Sequence, residues 1–213
     1  MEKELNRLYT NLWTTKGSRF IASKRFAKHN KLSNLTITIA SVYILALNLI
    51  ILIPDSNKFL SEEHITYFTI CSSILVLALS LVVNSRNYQS LSDKFHDCGR
   101  EISEVYDTIC LLRNSTPSIQ QIESIHSNYQ AIIRKYDINQ DQLDFDIFRS
   151  RNLNEFPEFK YPTNASNIKH VLVYLNRVLF KLKTLIKLLW NQYVIYFCIW
   201  LLPACLFLIR KSA

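Results

Sequence analysis

The chain has 213 residues, 49% of them hydrophobic, and a formal net charge of +8. It contains only two glycines, which excludes the glycine-rich loops of P-loop and dinucleotide-binding enzymes. The apolar residues are concentrated in a few runs, which argues against a soluble domain of evenly mixed composition.

The first 32 residues combine an apolar helix face with many basic residues. Leu5, Leu8 and Leu12 share one face of a helix, and Trp13 follows them. Eight Lys or Arg residues and two Glu residues precede residue 33. This pattern indicates either a helix that lies on the inner membrane surface or a plain basic flank of a membrane span.

Three runs contain no charged residue: residues 33–53, 65–83 and 190–209. Each has about the 20 residues that a helix needs to cross a bilayer. Helices are the structures that cross singly or in pairs, because lipid offers no hydrogen-bond partner to open backbone groups. The sequence therefore predicts an all-α integral membrane protein, with two spans in an antiparallel hairpin and a third span at the C-terminus.

The distribution of charge predicts the orientation of the hairpin. Residues 54–64 carry one Lys and three acidic residues, whereas basic residues dominate the N-terminal segment. Residues 84–189 carry fourteen Lys or Arg and twelve acidic residues. Because positive charge in short loops stays in the cytoplasm, we expect a cytoplasmic N-terminus, a cytoplasmic middle region and an external loop.

Each of the first two spans carries polar residues at seven-residue intervals, which keeps each set on one helix face. The two sets are Asn34, Ser41 and Asn48, and Thr66, Ser73 and Ser80. One interpretation is close helix packing with hydrogen bonds between helices. The other is that the polar residues line a water-filled path. Because two helices cannot enclose a pore, the second interpretation requires a homo-oligomer.

After the second span, apolar residues alternate at spacings of three and four, which is a heptad repeat. They are Tyr88, Leu91, Phe95, Cys98, Ile102, Val105, Ile109 and Leu112. This heptad seam predicts that the second span continues into the cytoplasm as one long helix. The seam can pair with the next helix in a hairpin or with another subunit, and both remain open.

A second cytoplasmic helix is predicted after a break in the pattern. Thr116 suits the N-cap and Pro117 the first helical position. Isoleucine and tyrosine side chains between residues 119 and 136 give this helix an apolar face.

The acidic stretch of residues 137–148 begins like a calcium-binding loop. Its sixth position is Gln142 and its twelfth is Phe148, which excludes an EF-hand. Leu143 and Ile147 indicate a short surface helix instead. Residues 152–167, which contain two prolines, are expected to form an irregular loop.

From residue 168 the chain is predicted to be a basic amphipathic helix that leads into the run 190–209. We expect this run to span the membrane, with an interfacial or re-entrant helix as the alternative. The chain then divides into four segments: the basic segment 1–32, the two-span hairpin 33–83, the cytoplasmic hairpin and loop 84–167, and the C-terminal segment 168–213.

No arrangement of residues indicates an active site. His96 and Cys98 are two residues apart, so on a helix their side chains point in different directions. No two histidines have metal-ligand spacing on one helix face, and the GxSxG and HExxH motifs are absent. The sequence predicts that the protein is not an enzyme and has no cofactor, metal or small-molecule substrate.

Two short motifs flank the paired spans. The first lies in residues 13–20 and the second in residues 95–102, and their most distinctive residues are Trp13, Lys16, Arg19, His96, Gly99 and Arg100. In this order the motifs resemble the SLATT proteins, the SMODS and SLOG-associating two-transmembrane effectors of prokaryotes. The resemblance is greatest to the fifth subfamily.

The resemblance implies an antiviral defence effector that perforates the bacterial inner membrane when a partner senses infection, and so kills or arrests the cell (abortive infection). Members of the fifth subfamily accompany a reverse transcriptase. The implied partner is therefore that enzyme or another nucleic-acid-sensing or nucleotide-sensing protein. The resemblance supplies no catalytic residues, and the third apolar run departs from the two-span plan.

Two functions from different classes fit these observations. The first is an oligomeric effector that permeabilises the membrane on a cue from its partner. The second is a non-conducting membrane anchor or scaffold that recruits a cytoplasmic nucleoprotein. An enzymatic function ranks third, because no residue pattern supports it.

Overall fold

The computed structural model describes residues 2–51, 62–113, 117–161 and 167–212. Only the backbone is described for residues 50, 51, 62, 64, 167, 195 and 198–212. Within these ranges every regular element is a helix, which confirms the predicted all-α fold. The six α-helices are α1 (Glu2–Ile51), α2 (Glu62–Arg86), α3 (Tyr88–Leu112), α4 (Ile119–Tyr136), α5 (Gln142–Arg151) and α6 (Asn167–Ser212).

The chain forms two compact units. The bundle unit comprises Met1–Phe26 and Ser90–Leu189, and the apolar unit comprises Ala27–Gln89 and Trp190–Ala213. Residues 1–26 belong to the same unit as most of α3 and α4, because the first turns of α1 pack against these two helices.

The core of the bundle unit lies between the N-terminal part of α1, α3 and α4. The heptad seam of α3 supplies three of its buried side chains, Cys98, Ile102 and Ile109, each 0% exposed. Ile122 and Ile125 of α4 complete the core from the opposite helix. The seam therefore pairs inside the chain, because α3 presents its apolar face to α1 and α4.

The apolar face of the N-terminal segment belongs to this same core. Leu5, Leu8 and Leu12 are 7%, 6% and 0% exposed and contact the buried residues of α3 and α4. The interpretation that this face lies on the membrane surface is wrong. An amphipathic face buries itself wherever an apolar partner is available, and here the partner is protein.

The second span does not continue as one helix, as the heptad seam predicted. Helix α2 ends at Arg86 and α3 begins at Tyr88. Asn87 between them has φ 43°, and its N–H donates to Asn84 O at 3.2 Å. Asparagine is one of the few residues that adopt the left-handed conformation readily, which heptad spacing does not reveal.

Helix α4 begins two residues later than predicted. Ser118 is its N-cap, and the side chains of Ser118 and Gln121 form a reciprocal capping box. At the other end Asp137, with φ 44°, donates its N–H to Ile133 O. Thr116, the predicted N-cap, lies outside the described residues.

Helix α5 is not the surface helix that was predicted. Asp144, Ile147 and Phe148 are buried, and Ile147 and Phe148 form a second apolar cluster with Ile21 of α1. Two 3-10 turns, Leu153–Glu155 and Pro157–Phe159, follow where an irregular loop was expected. Residues 162–166 of that loop lie outside the described residues.

The apolar unit exposes large hydrophobic side chains. Two helical stretches, within Glu2–Leu49 and Ile65–Leu112, are long and apolar enough to cross a membrane, and only 11% of the most apolar window of each is buried. Leu45 and Leu81, for example, are both 64% exposed. Side chains of this kind need a lipid environment, because water disfavours so large an exposed apolar surface.

The third predicted span stays a prediction. Helix α6 includes residues 190–209, but most side chains of this run lie outside the described residues. Its membrane crossing is therefore an expectation from composition alone.

Candidate functional site: polar residues of the spans and the motif residues

The two sets of polar residues predicted in the spans lie largely at the outside of the chain. Asn34, Asn48, Thr66 and Ser73 are exposed. Ser41 and Ser80 are half-buried. None of these six belongs to the buried residues, and four of them face the surroundings of the chain.

Four of these six side chains hydrogen-bond to the backbone of their own helix. The donor atoms lie 2.7–2.9 Å from the carbonyl oxygen four residues earlier, in the pairs Ser41–Ile37, Asn48–Ile44, Ser73–Thr69 and Ser80–Val76. Such local bonds satisfy a hydroxyl donor without a second helix. The bonds that these four groups make in the structure are therefore not bonds between spans.

Different polar residues are buried in the apolar unit. Ser33 and Thr36 of α1 are each 2% exposed, and Thr69 of α2 is 5% exposed. Sequence analysis missed them. The signal was present, because His29, Ser33 and Thr36 follow the spacing of four and three that marks one helix face.

A hydroxyl cluster forms around Tyr196. Its OH lies 2.7 Å from Ser33 Oγ and 3.3 Å from His29 Nδ1. The His29 ring also stacks on Tyr88 at 5.5 Å between centroids. The two polar contacts of Tyr196 join α6 to α1 inside the apolar unit, and buried polar groups of this kind are normally satisfied by hydrogen bonds. These two contacts link residues 167 and 163 positions apart, which no local pattern in the sequence indicates.

The N-terminal motif residues pack the bundle unit. The Trp13 ring meets Phe148 edge-on at 4.7 Å between centroids. Lys16 Nζ lies 3.8 Å above the Tyr106 ring. These are packing and cation–π contacts, so the motif explains how the unit is assembled and supplies no reactive group.

Arg19 of the same motif is buried, with 2% exposure, and its guanidinium lies 5.4 Å from the centroid of the Phe95 ring. Burial lowers the pKa of Arg19, because desolvation disfavours the charged form. Its Nε and Nη1 atoms have no hydrogen-bond partner among the described residues. Arg19 is therefore held by the aromatic face of Phe95.

The second motif separates into a buried and an exposed side. His96 is exposed and meets the Phe20 ring edge-on at 5.6 Å, and Arg100 forms a surface pair with Asp97 at 3.6 Å. Cys98 is 0% exposed, and burial raises the pKa of its thiol. A buried neutral thiol is a poor nucleophile, so His96 and Cys98 are placed for packing.

Both glycines of the chain lie where two helices approach closely. A Cβ atom on Gly17 of α1 would lie 1.9 Å from Phe148 Cε2 of α5. A Cβ atom on Gly99 of α3 would lie 3.2 Å from Phe20 Cε1 of α1. The motifs thus contain glycine because an aromatic ring covers each position.

A buried ion pair of the bundle unit joins α1 to α5. Arg25 Nε donates to Asp144 Oδ1 at 2.8 Å and Arg25 Nη2 to Asp144 Oδ2 at 2.9 Å, a bidentate pair. Arg25 and Asp144 are 6% and 0% exposed. Burial alone lowers the pKa of Arg25, but the hydrogen bonds and charge of Asp144 outweigh it, and the pKa is raised. The sequence does not reveal this pair, because its members are 119 positions apart.

A second polar contact joins α3 to α4. Glu101 Oε1 accepts hydrogen bonds from Lys135 Nζ at 2.5 Å and from Tyr136 OH at 2.7 Å. These bonds lower the pKa of Glu101. Burial and the bond to Glu101 raise the pKa of Tyr136 to about 12. The contact supports the hairpin between the two helices.

The described residues hold no group of three or more His, Cys, Asp or Glu side chains that could bind a metal ion. The described residues form an all-helical protein with two outward-facing apolar stretches. These features place the chain in the class of integral membrane proteins. The profile of one protein family, the SMODS and SLOG-associating 2TM effector domain family 5, matches residues 1–209. The chain therefore belongs to family 5 of the SLATT proteins, as its motifs suggested.

Membership of this family indicates the general role of the protein. The SLATT domain is a two-transmembrane effector domain, and the chain is accordingly a membrane effector associated with defence systems. No curated protein and no solved structure gives a significant match to this chain.

Proposed function

We propose that this protein oligomerises in the bacterial inner membrane and permeabilises it on a cue from a partner, which kills the cell or arrests its growth. The observation that carries the proposal is the position of the polar residues of the spans. They lie outside the buried face of the chain, where a second copy can reach them.

The surroundings of these residues support self-association. Polar groups that face hydrocarbon are costly, and in membrane proteins they turn toward a cavity or another helix. Val42 and Leu49, at 58% and 63% exposure, lie about 120° and 100° from Asn48 around α1 and suit lipid. Asn48 itself suits a protein contact or a water-filled path.

The amide of Asn48 has capacity for such a contact. An asparagine side chain offers two N–H donors and a carbonyl acceptor. The bond to Ile44 O uses one donor. An Asn48 side chain from a second copy provides a matching acceptor and donor, so a ring of copies can satisfy these amides among themselves or with water.

The bundle unit is the part of the chain suited to receive the cue. It has its own apolar core and its own buried ion pair, and we expect it, with the N-terminus, on the cytoplasmic side. The proposed partner is a reverse transcriptase or another protein that senses nucleic acid or nucleotides. No small-molecule substrate is expected.

Dye release from liposomes that contain the purified protein, with and without its partner, tests the proposal. The double variant Asn48→Leu, Ser73→Leu is expected to lose most of the release and its toxicity in cells, while partner binding persists. Tyr43→Leu is a matched control, because Tyr43 is 48% exposed and lies about 140° from Asn48 around α1, on another face of the helix.

The same experiment separates the pore from the scaffold. If no condition releases dye, and toxicity survives the double variant but disappears when residues 90–189 are deleted, the protein acts by recruiting its partner. Equal loss in the Tyr43→Leu control would show that the loss is not specific to the polar face, and would remove the support that the polar residues give to the proposal.

A further inference from the structure

The part of α6 that belongs to the bundle unit carries an apolar face that no described residue covers. Its side chains include Val171, Leu172, Leu175, Leu179, Leu182 and Ile186, which are 48–62% exposed. With about 100° per residue, these positions form one broad stripe along the helix. A stripe of this size on a protein surface marks a contact with another phase or molecule.

The opposite side of α6 is already occupied. The Phe180 ring packs on Phe159 at 4.9 Å between centroids, and Thr184 is 4% exposed. Lys187 Nζ lies 3.6 Å from Asp146 Oδ2 of α5. Because the opposite face of α6 packs against the rest of the bundle unit, the apolar stripe faces away from the core of that unit.

The charge of α6 indicates what covers the stripe. Lys181 and Lys183 lie about 100° to either side of Leu182, so a lysine borders each edge of the stripe. Within residues 167–189 there are five Lys or Arg residues and no acidic residue, and the last acidic residue of the chain is Glu158. A second copy of α6 would bring the same charges and no acidic partner, whereas lipid headgroups can be anionic.

We propose that the outer face of α6 docks the bundle unit on the anionic surface of a membrane. The apolar stripe enters the boundary between headgroups and acyl chains, and the lysines at its edges reach the lipid phosphates with their charged ends. This inference rests on the membrane location of the chain and not on pore formation, so a protein that released no dye would leave it standing.

Photocrosslinking of the full-length protein in vesicles tests the docking. p-Benzoyl-phenylalanine is introduced at position 175 in one variant and at position 176 in the other. Leu175 lies on the stripe, and Asn176, exposed and about 100° away, is the matched control. The vesicles contain equal parts of phosphatidylglycerol and phosphatidylcholine, or phosphatidylcholine alone, and circular dichroism confirms equal helix content.

A lipid adduct is expected at position 175, several-fold above that at position 176. It should decrease several-fold in vesicles of phosphatidylcholine alone, and likewise when Lys181→Glu and Lys183→Glu are combined with the probe. A crosslinked dimer as the main product at position 175 would show that a second copy covers the stripe. That result, equal yields at the two positions, or a yield independent of lipid charge would overturn the inference.

Discussion

Two glycines decide how closely the helices of the bundle unit approach one another. At Gly17 the Phe148 ring occupies the space of a Cβ atom, with 1.9 Å to the nearest ring carbon. At Gly99 the corresponding distance to Phe20 is 3.2 Å, which a small shift of the ring relieves. Glycine is therefore strictly required at position 17, whereas position 99 leaves nearly enough space for a Cβ atom.

We expect Gly17→Ala to destabilise the protein by about 1–3 kcal/mol, the usual cost of overpacking. Gly99→Ala should be close to neutral, because alanine favours the helix by about 1 kcal/mol relative to glycine and offsets a mild contact. Thermal unfolding in detergent, followed by circular dichroism, measures both. Equal midpoints for the two variants would contradict the assignment of Gly17 to a closed contact.

Between elements, the Arg25–Asp144 pair holds α5 against α1. A buried charge that loses its partner is strongly destabilising, whereas an exposed ion pair contributes little. The same guanidinium also contacts Asp141 at 2.6 Å, but that carboxylate is 65% exposed. The buried Asp144 and the exposed Asp141 therefore allow the effect of burial on an ion pair to be compared at one arginine.

Asp144→Asn is expected to cost about 3–5 kcal/mol, because Arg25 then stays charged and buried with only the largely exposed carboxylate of Asp141 beside it. Asp141→Asn should cost about 0.2–1 kcal/mol. Asp141 is the N-cap residue of α5, and asparagine also suits that position. Urea unfolding of the detergent-solubilised protein compares them. If Asp141→Asn lowered the free energy of unfolding as much as Asp144→Asn, burial would not determine how much each ion pair stabilises the protein.

At the scale of the whole molecule, the orientation in the membrane follows from charge. Eight basic residues precede residue 33, and the segment 54–64 carries a net negative charge. Transfer of the N-terminal segment across the membrane would oppose the positive-inside tendency. The N-terminus and the bundle unit are expected on one side, and the segment 54–64 on the other.

Reporter fusions test this orientation. Alkaline phosphatase inserted between residues 57 and 58 should be active, because it folds outside the cytoplasm. The same reporter placed after residue 113 should be inactive, and green fluorescent protein at that position should fluoresce. The reverse pattern would refute the predicted topology and the cytoplasmic placement of the bundle unit.

Much of the fold could be predicted from the sequence, because helices and spans depend on local periodicity and composition. The charge-free runs, the seam of α3 and the motifs at Trp13 and Gly99 are all readable within about 20 residues. The polar residues of the spans could be identified from the sequence, but the environment of their side chains could not be predicted. Seven-residue spacing shows that Asn48 and Ser41 share a face, not whether that face meets protein, water or lipid.

By itself the sequence determined the helical class, the first two apolar spans, the charge asymmetry and the family, since each depends on residue type and short-range spacing. Only the tertiary structure decided that the seam pairs with Leu12 and Ile122 of the same chain, that Arg25 meets Asp144, and that Phe148 covers Gly17. The physical reason is that contacts between residues distant in sequence depend on how the helices pack. A periodic apolar face shows that a helix needs a partner and does not name it.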